Sequence, residues 1–569
     1  MRRLAAAAAL VLCLSGLAGA QEVPPEEIRT AIGRGVERIL ACQEDDGGFV
    51  ISESHFKQYP SGSTALALMA LQYARPHLTG DLRVRTFEAI RKGLAFLTQH
   101  IPEPRTYSAG FILCALYNEN PKRYRKLIDF TAAMLCLSQH DEKTPQHFGM
   151  WGYRLKVLGP QGVTGTVDNW GDKSNTQIAL LGLYHAQRCD FQVPKIIWKR
   201  ARAHYHRAQF LDGGWGYCEK LRPDPYANMT IASCISLNLC NEMLVEKEVQ
   251  CKAPPVDKHV EAGLKWIADN WKTGRIGADT YGLYALERLG ILMGRANIGG
   301  HDWYNEGARE LLGRGWRSMF GTPEVTACFG VMFLSRGLEP IVINKLERRD
   351  TDDWNNTPYD VKHLVEYIED HYQLPIQWRI VTLEAPKHIL HHTPILHISG
   401  HKPLEFNDEE KRKLKAYVDD GGTLLAQACC GMKPFDESFR ALVKELFGGE
   451  LRELPKTHRI YERMQIRGLA PSPKIEVFTL DKEQGRPAVI YLPYGIARSW
   501  HLGGERADSA YAVGTGIYFY VTIEAKRLHE LTHPEKARPA PATPQPEPTP
   551  RPDTTPLPDP AAPRNEEEE

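Results

Sequence analysis

Residues 174–186 read SNTQIALLGLYHA, a start rich in small polar residues followed by small and apolar residues. The same pattern occurs in five further segments between residues 61 and 337, at a spacing of roughly fifty residues, a little longer than that of helical-hairpin repeats. The six segments share a hydroxyl residue near their start, at Thr64, Ser108, Thr176, Thr230, Thr280 and Thr326. Small side chains allow helices to approach closely, so we expect six apolar helices to form an inner ring.

A more polar segment with helical periodicity precedes each apolar segment. The six polar segments cover residues 26–43, 84–100, 124–139, 194–209, 257–271 and 305–316. Each has one face suited to water, which favours an outer ring of amphipathic helices. The simplest closed arrangement over residues 21–345 is an (α/α)6 toroid. An open solenoid is the alternative, but it requires polar caps at both ends, which this sequence lacks.

Two turns carry a more specific pattern, Gln-x-x-x-Gly-x-aromatic at the end of a helix. Residues 43–49 read QEDDGGF and residues 209–215 read QFLDGGW, with weaker echoes in GMWGY from residue 149 and HDWYNEGARELL from residue 301. The glycines allow a tight turn, the Gln side chain bonds free carbonyls, and the aromatic ring closes the hairpin. The pattern resembles the QW motif of the terpene cyclase and prenyltransferase toroids, which implies that fold for the helical region.

The catalytic motifs of those relatives are missing from the helical region. A literal DxDD begins at Asp350, but it follows the last predicted toroid helix. Neither an Asp-x-Cys pair for a prenyltransferase zinc nor a CGEQ-like thioester sequence occurs in the chain. We therefore expect a scaffold or binding barrel without its relatives' chemistry.

The stretch VDNWGDKSNTQ, residues 167–177, opens one inner helix with polar and aromatic side chains. Such a concentration at a barrel mouth is typical of a glycan or peptide site. The predicted ligand-binding residues are Asp168, Trp170, Asp172, Asn175 and Gln177. In the alternative interpretation, Asp172 or Ser174 caps the helix and Trp170 packs the loop.

Beyond residue 346 the pattern changes to strands alternating with helices. Apolar strands are predicted in residues 376–383, 393–400, 423–429 and 487–494, with helices in 359–372, 407–420 and 436–448. This alternation predicts a doubly wound, mostly parallel α/β domain over residues 346–530.

The same region resembles an uncharacterised domain family, DUF4159. The resemblance is carried by DDWNNTPYDVKHL from residue 352, PILHISGHKPLEFNDEEKRKLKAYVDDGGTLLAQACCG from residue 394, FDESFRALVKELF from residue 435 and ELRELPKTHRIYE from residue 450. It implies a fold related to class I glutamine amidotransferase-like and flavodoxin-like domains, and an envelope location. No established reaction comes with that family.

Cys429 and His401 are the candidate catalytic residues of this domain. Each directly follows a predicted strand, and the carboxyl ends of neighbouring parallel strands meet at one sheet edge. A Cys–His dyad would support hydrolase or amidotransferase-like chemistry. The alternative is that Cys429 and Cys430 pack the edge or form a disulfide. Because no paired CxxC spacing occurs, we predict no metal and no cofactor.

Both termini carry segments that we do not expect to belong to a folded domain. Residues 1–20 read as a signal peptide with basic residues, an apolar stretch and a small-residue cleavage site, and residues 531–569 form a Pro-rich acidic tail that we expect to be disordered. Removal of Cys13 leaves 11 of the 12 cysteines at irregular spacing, unlike a disulfide framework. We therefore expect an exported periplasmic or extracellular protein without a stable membrane span.

Charge and motif content together limit the function classes. The chain has 70 Lys and Arg against 70 Asp and Glu, so no net field favours nucleic acid. The sequence predicts a two-domain envelope protein that binds a glycan, a peptide or a protein partner. A glycan-active lyase or hydrolase using the toroid cavity is the first alternative, and the Cys–His chemistry is the second.

Overall fold

The computed structural model describes residues 22–525 apart from 51–57, 101, 144, 219–220, 246–250, 253–254, 272–275, 317–321, 350, 392, 465–472, 481–485 and 505–506. The predicted signal peptide, residues 1–20, and the predicted tail, residues 531–569, lie outside the described residues. Within the described ranges, no helix has the length and apolar character needed to cross a bilayer.

The N-terminal region is helical, as the sequence predicts. In its described part the helices are α1 Pro25–Leu40, α2 Pro60–Ala74, α3 Gly80–Gln99, α4 Thr106–Glu119, α5 Arg125–Ser138, α6 Lys173–Arg188, α7 Lys195–Arg207, α8 Ala227–Met243, α9 Lys258–Asp269, α10 Thr280–Met293, α11 Trp303–Arg314 and α12 Pro323–Gly337. Two short hairpins interrupt them, β1 Val157–Gly159 with β2 Gly162–Thr164 and β3 Asn297–Ile298 with β4 His301–Asp302. The expectation of a region without strands therefore holds apart from these two loops.

The even-numbered helices are the apolar ones, and each contacts the next. The contacts run through α2, α4, α6, α8, α10 and α12, and α12 returns to contact α2. Their marker hydroxyls are buried, with Thr64, Thr176 and Thr230 at 0% exposure. The first turns of these helices lie close together. The Ser174 hydroxyl, in the first turn of α6, lies 3.1 Å from the Tyr281 hydroxyl, in the first turn of α10. Tyr107 of α4 likewise bonds Ser174 of α6, and Asn228 of α8 bonds Asp279 just before α10. Arg336 and Tyr73 meet at the opposite, C-terminal ends of α12 and α2, so the six helices run in the same direction.

The Gln–aromatic turns tie the outer helices to the inner ones. The Gln209 side chain donates to the Gly213 carbonyl of its own turn and to the His259 carbonyl of α9, both at 2.9 Å. The Trp215 backbone N–H donates to the Thr230 hydroxyl at 3.1 Å, and its indole N–H donates to the Tyr205 carbonyl at 2.9 Å. The glutamine and backbone bonds recur in the other two turns, with Gln43, Phe49 and Thr64, and with Gln139, Trp151 and Thr176. The weak echo GMWGY thus makes the same bonds as the other two turns, although Gln139 lies ten residues before Gly149 instead of four.

The C-terminal region holds a seven-stranded, mostly parallel sheet. Its strands, in the order in which they lie side by side, are β6 Gln377–Val381, β5 Ile341–Leu346, β7 Ile395–Gly400, β8 Thr423–Ala428, β11 Pro487–Leu492, β10 Glu476–Thr479 and β9 Arg452–Glu453. Only the pairs of β10 with β11 and with β9 are antiparallel. Strands β5, β9 and β10 were not predicted from the sequence, and β5 lies mostly before residue 346.

Helices cover both faces of this sheet. They are α13 Asp360–Tyr372, α14 Lys387–His391, α15 Asp408–Asp419, α16 Lys433–Phe447, α17 Arg459–Arg463, α18 Ala497–Leu502 and α19 Asp508–Phe519. Ile395 and Leu425 belong to a core shared with α13 and α19, whereas Leu396 and Leu424 belong to one shared with α15 and α16. Alternate residues of a strand point to opposite faces, so both faces are apolar, as buried parallel strands require.

Helix α13 also contacts the helical region, at the C-terminal ends of its inner helices. Lys362 of α13, 2% exposed in its side chain, lies 2.8 Å from Glu242 of α8. Arg188 of α6 bonds Glu366 and Asp370 of α13. This end of the helical region is therefore covered by buried ion pairs.

Candidate functional site

The predicted mouth lies at the N-terminal end of the inner helices, opposite α13. Asp172 caps α6, accepting the Asn175 backbone N–H at 2.7 Å and the Asn175 side-chain amide at 2.7 Å. Both residues are 0% exposed, and burial raises the pKa of Asp172 to about 6. Gln177, 1% exposed, accepts the Tyr281 hydroxyl at 3.3 Å. These three predicted site residues are therefore buried beneath the surface of the mouth.

Asp168 and Trp170 remain partly exposed on the loop that precedes α6. Asp168 accepts the Arg154 backbone N–H at 2.8 Å and lies 3.5 Å from the Arg154 guanidinium, so it orders the loop. The Trp170 ring lies 5.7 Å from that of Tyr153 and 6.5 Å from that of Tyr217. The hydroxyls of the two tyrosines are 2.8 Å apart. Tyr153, Trp170 and Tyr217 form an aromatic cluster at the surface.

A cavity of about 380 Å³ lies beside this aromatic cluster. Its basic lining residues are His147, Lys173, His204 and Arg207. Gly171, which directly follows Trp170 in the chain, also lines it. Burial lowers the pKa of His204 well below its ordinary value, and the charges of Lys173 and Arg207 act in the same direction. The positive charge of the cavity therefore comes from Lys173 and Arg207, and the His204 ring is neutral at pH 7.

The interior of the inner ring below the mouth is filled with aromatic side chains. Phe329 of α12 lies 5.3 Å from the ring of Tyr281, 5.3 Å from that of Tyr284 and 6.4 Å from that of Phe111. All four residues are at most 4% exposed. Among the described residues, aromatic side chains from α4, α10 and α12 therefore fill the space between these helices below the mouth.

The second predicted site, at the sheet edge, brings His401 and Cys429 together as expected. Strands β7 and β8 are neighbours with Gly400 opposite Ala428, so the residues that follow them lie side by side. Cys430 and Cys251 join them, and one ligand atom from each of the four residues lies within 4.8 Å of the others. Cys251 comes from the connection between α8 and α9.

The thiols at this edge do not favour the predicted nucleophile. A hydrogen bond between the two thiols lowers the pKa of Cys251 to about 5 and, with burial, raises that of Cys429. A nucleophilic cysteine needs a lowered pKa. The hydrogen bond to Cys251 and burial thus work against a Cys429 thiolate.

Sequence reasoning missed several of these residues. The repeated Trp-Gly-Tyr at residues 151–153 and 215–217 would have identified both mouth tyrosines, since each follows the buried Trp of a Gln–aromatic turn. A side chain at Gly152 would lie 2.5 Å from the Trp170 carbonyl, so the close approach there requires glycine. Cys251 left no local signal, because it belongs to a different region of the chain.

The fold and these two sites define a two-domain protein, a helical region with an aromatic mouth followed by an α/β domain with a cysteine-rich sheet edge. Residues 342–522 match a family model described as Domain of unknown function (DUF4159), which confirms the predicted resemblance for the C-terminal domain. No curated protein matches the chain.

Proposed function

We propose that this protein is an exported binding protein that holds an acidic glycan of the cell envelope at the mouth of its helical region. In this proposal the helical region is an (α/α)6 toroid of the terpene cyclase and prenyltransferase type, and the α/β domain is doubly wound. The observation that carries the proposal is the aromatic cluster of Tyr153, Trp170 and Tyr217 beside an electropositive cavity of about 380 Å³.

The aromatic cluster supports a sugar ligand. Aromatic rings present large, rigid contact surfaces at little cost in conformational entropy, and tyrosine hydroxyls add hydrogen bonds at the rim. Tyr153 is 41% exposed, and its hydroxyl and that of Tyr217 lie at the surface of the mouth. Sugar rings offer the matching pattern, an apolar face with polar edges.

The adjoining cavity supports a ligand with a carboxylate. Arg207 is exposed at its edge, and His147, His204 and Lys173 line it. A guanidinium binds carboxylate with two parallel hydrogen bonds, and the neighbouring Lys173 ammonium adds attraction. The described lining contains no acidic side chain to oppose such a group.

The filled interior argues for binding at the mouth over catalysis within the ring. A glycan lyase or hydrolase needs two acids, or a base with an acid, around a substrate-sized space. Phe329 and its aromatic neighbours are buried and pack against one another between α10 and α12. Neither the lyase or hydrolase alternative nor Cys–His chemistry at Cys429 has a comparable supporting observation.

Titration calorimetry on the mature chain tests the proposal. The ligand panel is a uronic-acid oligosaccharide, its neutral counterpart of the same length, a peptidoglycan fragment and an acidic peptide. We expect the acidic oligosaccharide or the peptidoglycan fragment to bind. Trp170→Ala should weaken that binding at least about tenfold, which corresponds to about 1.4 kcal/mol. Arg207→Gln should weaken it and reduce its dependence on salt.

Phe87→Ala is the matched control, because Phe87 is an aromatic residue 39% exposed on an outer helix far from the mouth in sequence. It should leave binding unchanged. Binding of the peptide alone would replace the glycan with a peptide ligand and overturn the proposal. So would a bound glycan whose affinity is the same in Trp170→Ala as in the unaltered chain.

A further inference from the structure

The sheet-edge cluster of Cys251, His401, Cys429 and Cys430 has the composition of a metal site. We propose that these four residues bind one zinc ion, and that the ion joins the helical region to the α/β domain. The inference is independent of the glycan proposal, since the two sites share no residue.

The topology explains why four distant residues meet. His401 is the first residue after β7, and Cys429 and Cys430 are the first two after β8. The parallel register of these neighbouring strands sets Gly400 opposite Ala428, which fixes three side chains at one corner of the sheet. Cys251 reaches that corner from the connection that leaves α8.

The distances agree with tetrahedral coordination. All four ligand atoms lie within 4.8 Å of one another. Zinc–sulfur bonds of about 2.3 Å in a tetrahedron place sulfur atoms about 3.8 Å apart, so small side-chain movements close the site. Three cysteines with one histidine form an established class of structural zinc site, and soft thiolate ligands select zinc over magnesium or calcium.

The backbone around the cluster is held in an unusual shape. Cys430 has φ 55°, a left-handed conformation uncommon for a residue with a side chain. A side chain at Gly495 would lie 2.5 Å from the Cys430 backbone nitrogen, so the neighbouring loop approaches as closely as glycine permits. Residues in sparsely populated conformations concentrate at ligand sites, where the surrounding structure enforces them.

Asp353 supplies support for the histidine ligand. This carboxylate, 3% exposed, accepts the backbone N–H groups of His401 and Lys402 at 2.8 Å each. It also lies 3.7 Å from Nδ1 of the His401 ring. Carboxylates beside a ligating histidine orient the ring and raise its basicity. Asp353 is therefore a positioning residue for the proposed site.

A disulfide explains the cluster less completely. Three thiols can form one disulfide at most, which leaves the third thiol and the imidazole without a role at the same corner. A zinc ion uses all four groups. Because an exported protein meets oxidising conditions, the experiment must separate these two states.

Elemental analysis and an intact-mass measurement of the mature chain distinguish the zinc-bound state from the disulfide. The chain is purified without chelators, and its free thiols are counted under denaturing, non-reducing conditions. We expect about one zinc ion per chain and reduced thiols at all three positions. Cys251→Ser and Cys429→Ser should each lose the zinc. Cys136→Ser, which alters a half-buried cysteine of α5, should retain it.

If the serine variants fail to fold, a cobalt titration of the unaltered, reduced chain measures metal binding directly. We expect saturation at about one equivalent, with thiolate-to-cobalt charge-transfer bands and the visible bands of tetrahedral cobalt. Asp353→Asn should still bind one ion, with an affinity about 10- to 100-fold lower. Absence of both zinc and cobalt uptake would overturn the proposal, as would a disulfide that includes Cys251, Cys429 or Cys430 in the zinc-grown chain.

Discussion

The two ends of the inner helices present opposite surfaces, although the same six helices form both. At the C-terminal end, charged residues from α6, α8 and α12 are buried against α13. Lys362 with Glu242 and Arg336 with Glu369, at 2.8 Å each, are typical of its contacts. At the N-terminal end, Trp170 and its neighbouring tyrosines remain partly exposed beside a basic cavity. The difference is that α13 covers one end, whereas Trp170 and its neighbours stay partly exposed at the other end in the described part of the chain.

The largest effect is expected at the covered end, from Lys362→Met. This change leaves Glu242 and Glu366 buried without their shared cation. Removing one partner of a buried ion pair costs about 3–5 kcal/mol, which chemical denaturation would measure as a loss in the free energy of unfolding. Lys265→Met is the control, because Lys265 and its partner Asp269 are 74% and 57% exposed and such pairs contribute at most about 1 kcal/mol.

The Lys362→Met deficit should also depend on pH. Arg188 and Lys362 lower the pKa of Glu366 from 4.5 to about 2, against the effect of burial. A carboxyl with a lowered pKa in the folded state stabilises the fold above its ordinary pKa, and this stabilisation is lost as the pH falls. The deficit should therefore be full at neutral pH and shrink below about pH 4.5. A deficit that is constant from pH 3 to pH 7 would contradict the ion-pair explanation.

A gain in stability is expected from Glu287→Gln, in α10 near the covered end. Glu287 is 0% exposed, neither carboxylate oxygen has a hydrogen-bond partner in the described structure, and burial raises its pKa from 4.5 to about 7. A carboxyl with a raised pKa costs no stability below its ordinary pKa and destabilises the fold as the pH rises. The variant should gain up to about 3 kcal/mol in the free energy of unfolding at pH 8 and little at pH 4.

Glu44→Gln, at an exposed position, is the control for this gain. It should leave the free energy of unfolding unchanged at both pH values. An equal gain from Glu287→Gln at pH 4 and pH 8 would show that the effect does not come from ionisation.

A smaller loss is expected from Gln209→Ala, in a turn at the open end. The change removes three hydrogen bonds, two from the Gln209 amide to the carbonyls of Gly213 and His259 and one between the Gln209 carbonyl oxygen and the His259 ring. We expect a loss of about 1–3 kcal/mol in the free energy of unfolding. Gln192→Ala removes one long, exposed hydrogen bond and should cost much less. Equal losses in the two variants would mean that the turn contributes nothing beyond an ordinary surface contact.

The helical region was largely predictable because its signals are local. Hydrophobic periodicity predicted the helices, and hydroxyl residues such as Thr230 indicated their buried face. The spacing of Gln209 and Trp215 predicted the turn. Strand β5 was missed because its six residues include the polar, buried Asn344 and Lys345, and because it lies between Pro340 and a charged segment. The pairing of α13 with the helical region was also unpredictable, since its charges are indistinguishable from those of a solvated helix until their partners are known.

The candidate sites were predictable only in part, for the same reason. The stretch around Trp170 lies before the N-terminal end of α6, but the sequence could not show that Asp172 and Asn175 bond each other below the surface. His401 and Cys429 were brought together by strand order, which the sequence implies. Cys251 completes their cluster from another domain, and only the folded structure relates it to them.

Hydrogen exchange on the mature chain, with and without the oligosaccharide that binds it best, compares the two ends directly. The account predicts that ligand slows exchange in residues 151–173 and 204–217, around the aromatic cluster and the basic cavity. It predicts no change in α13, which covers the opposite end. Protection confined to α13, or to the C-terminal ends of α6 and α8, would contradict the assignment of the aromatic mouth as the binding site.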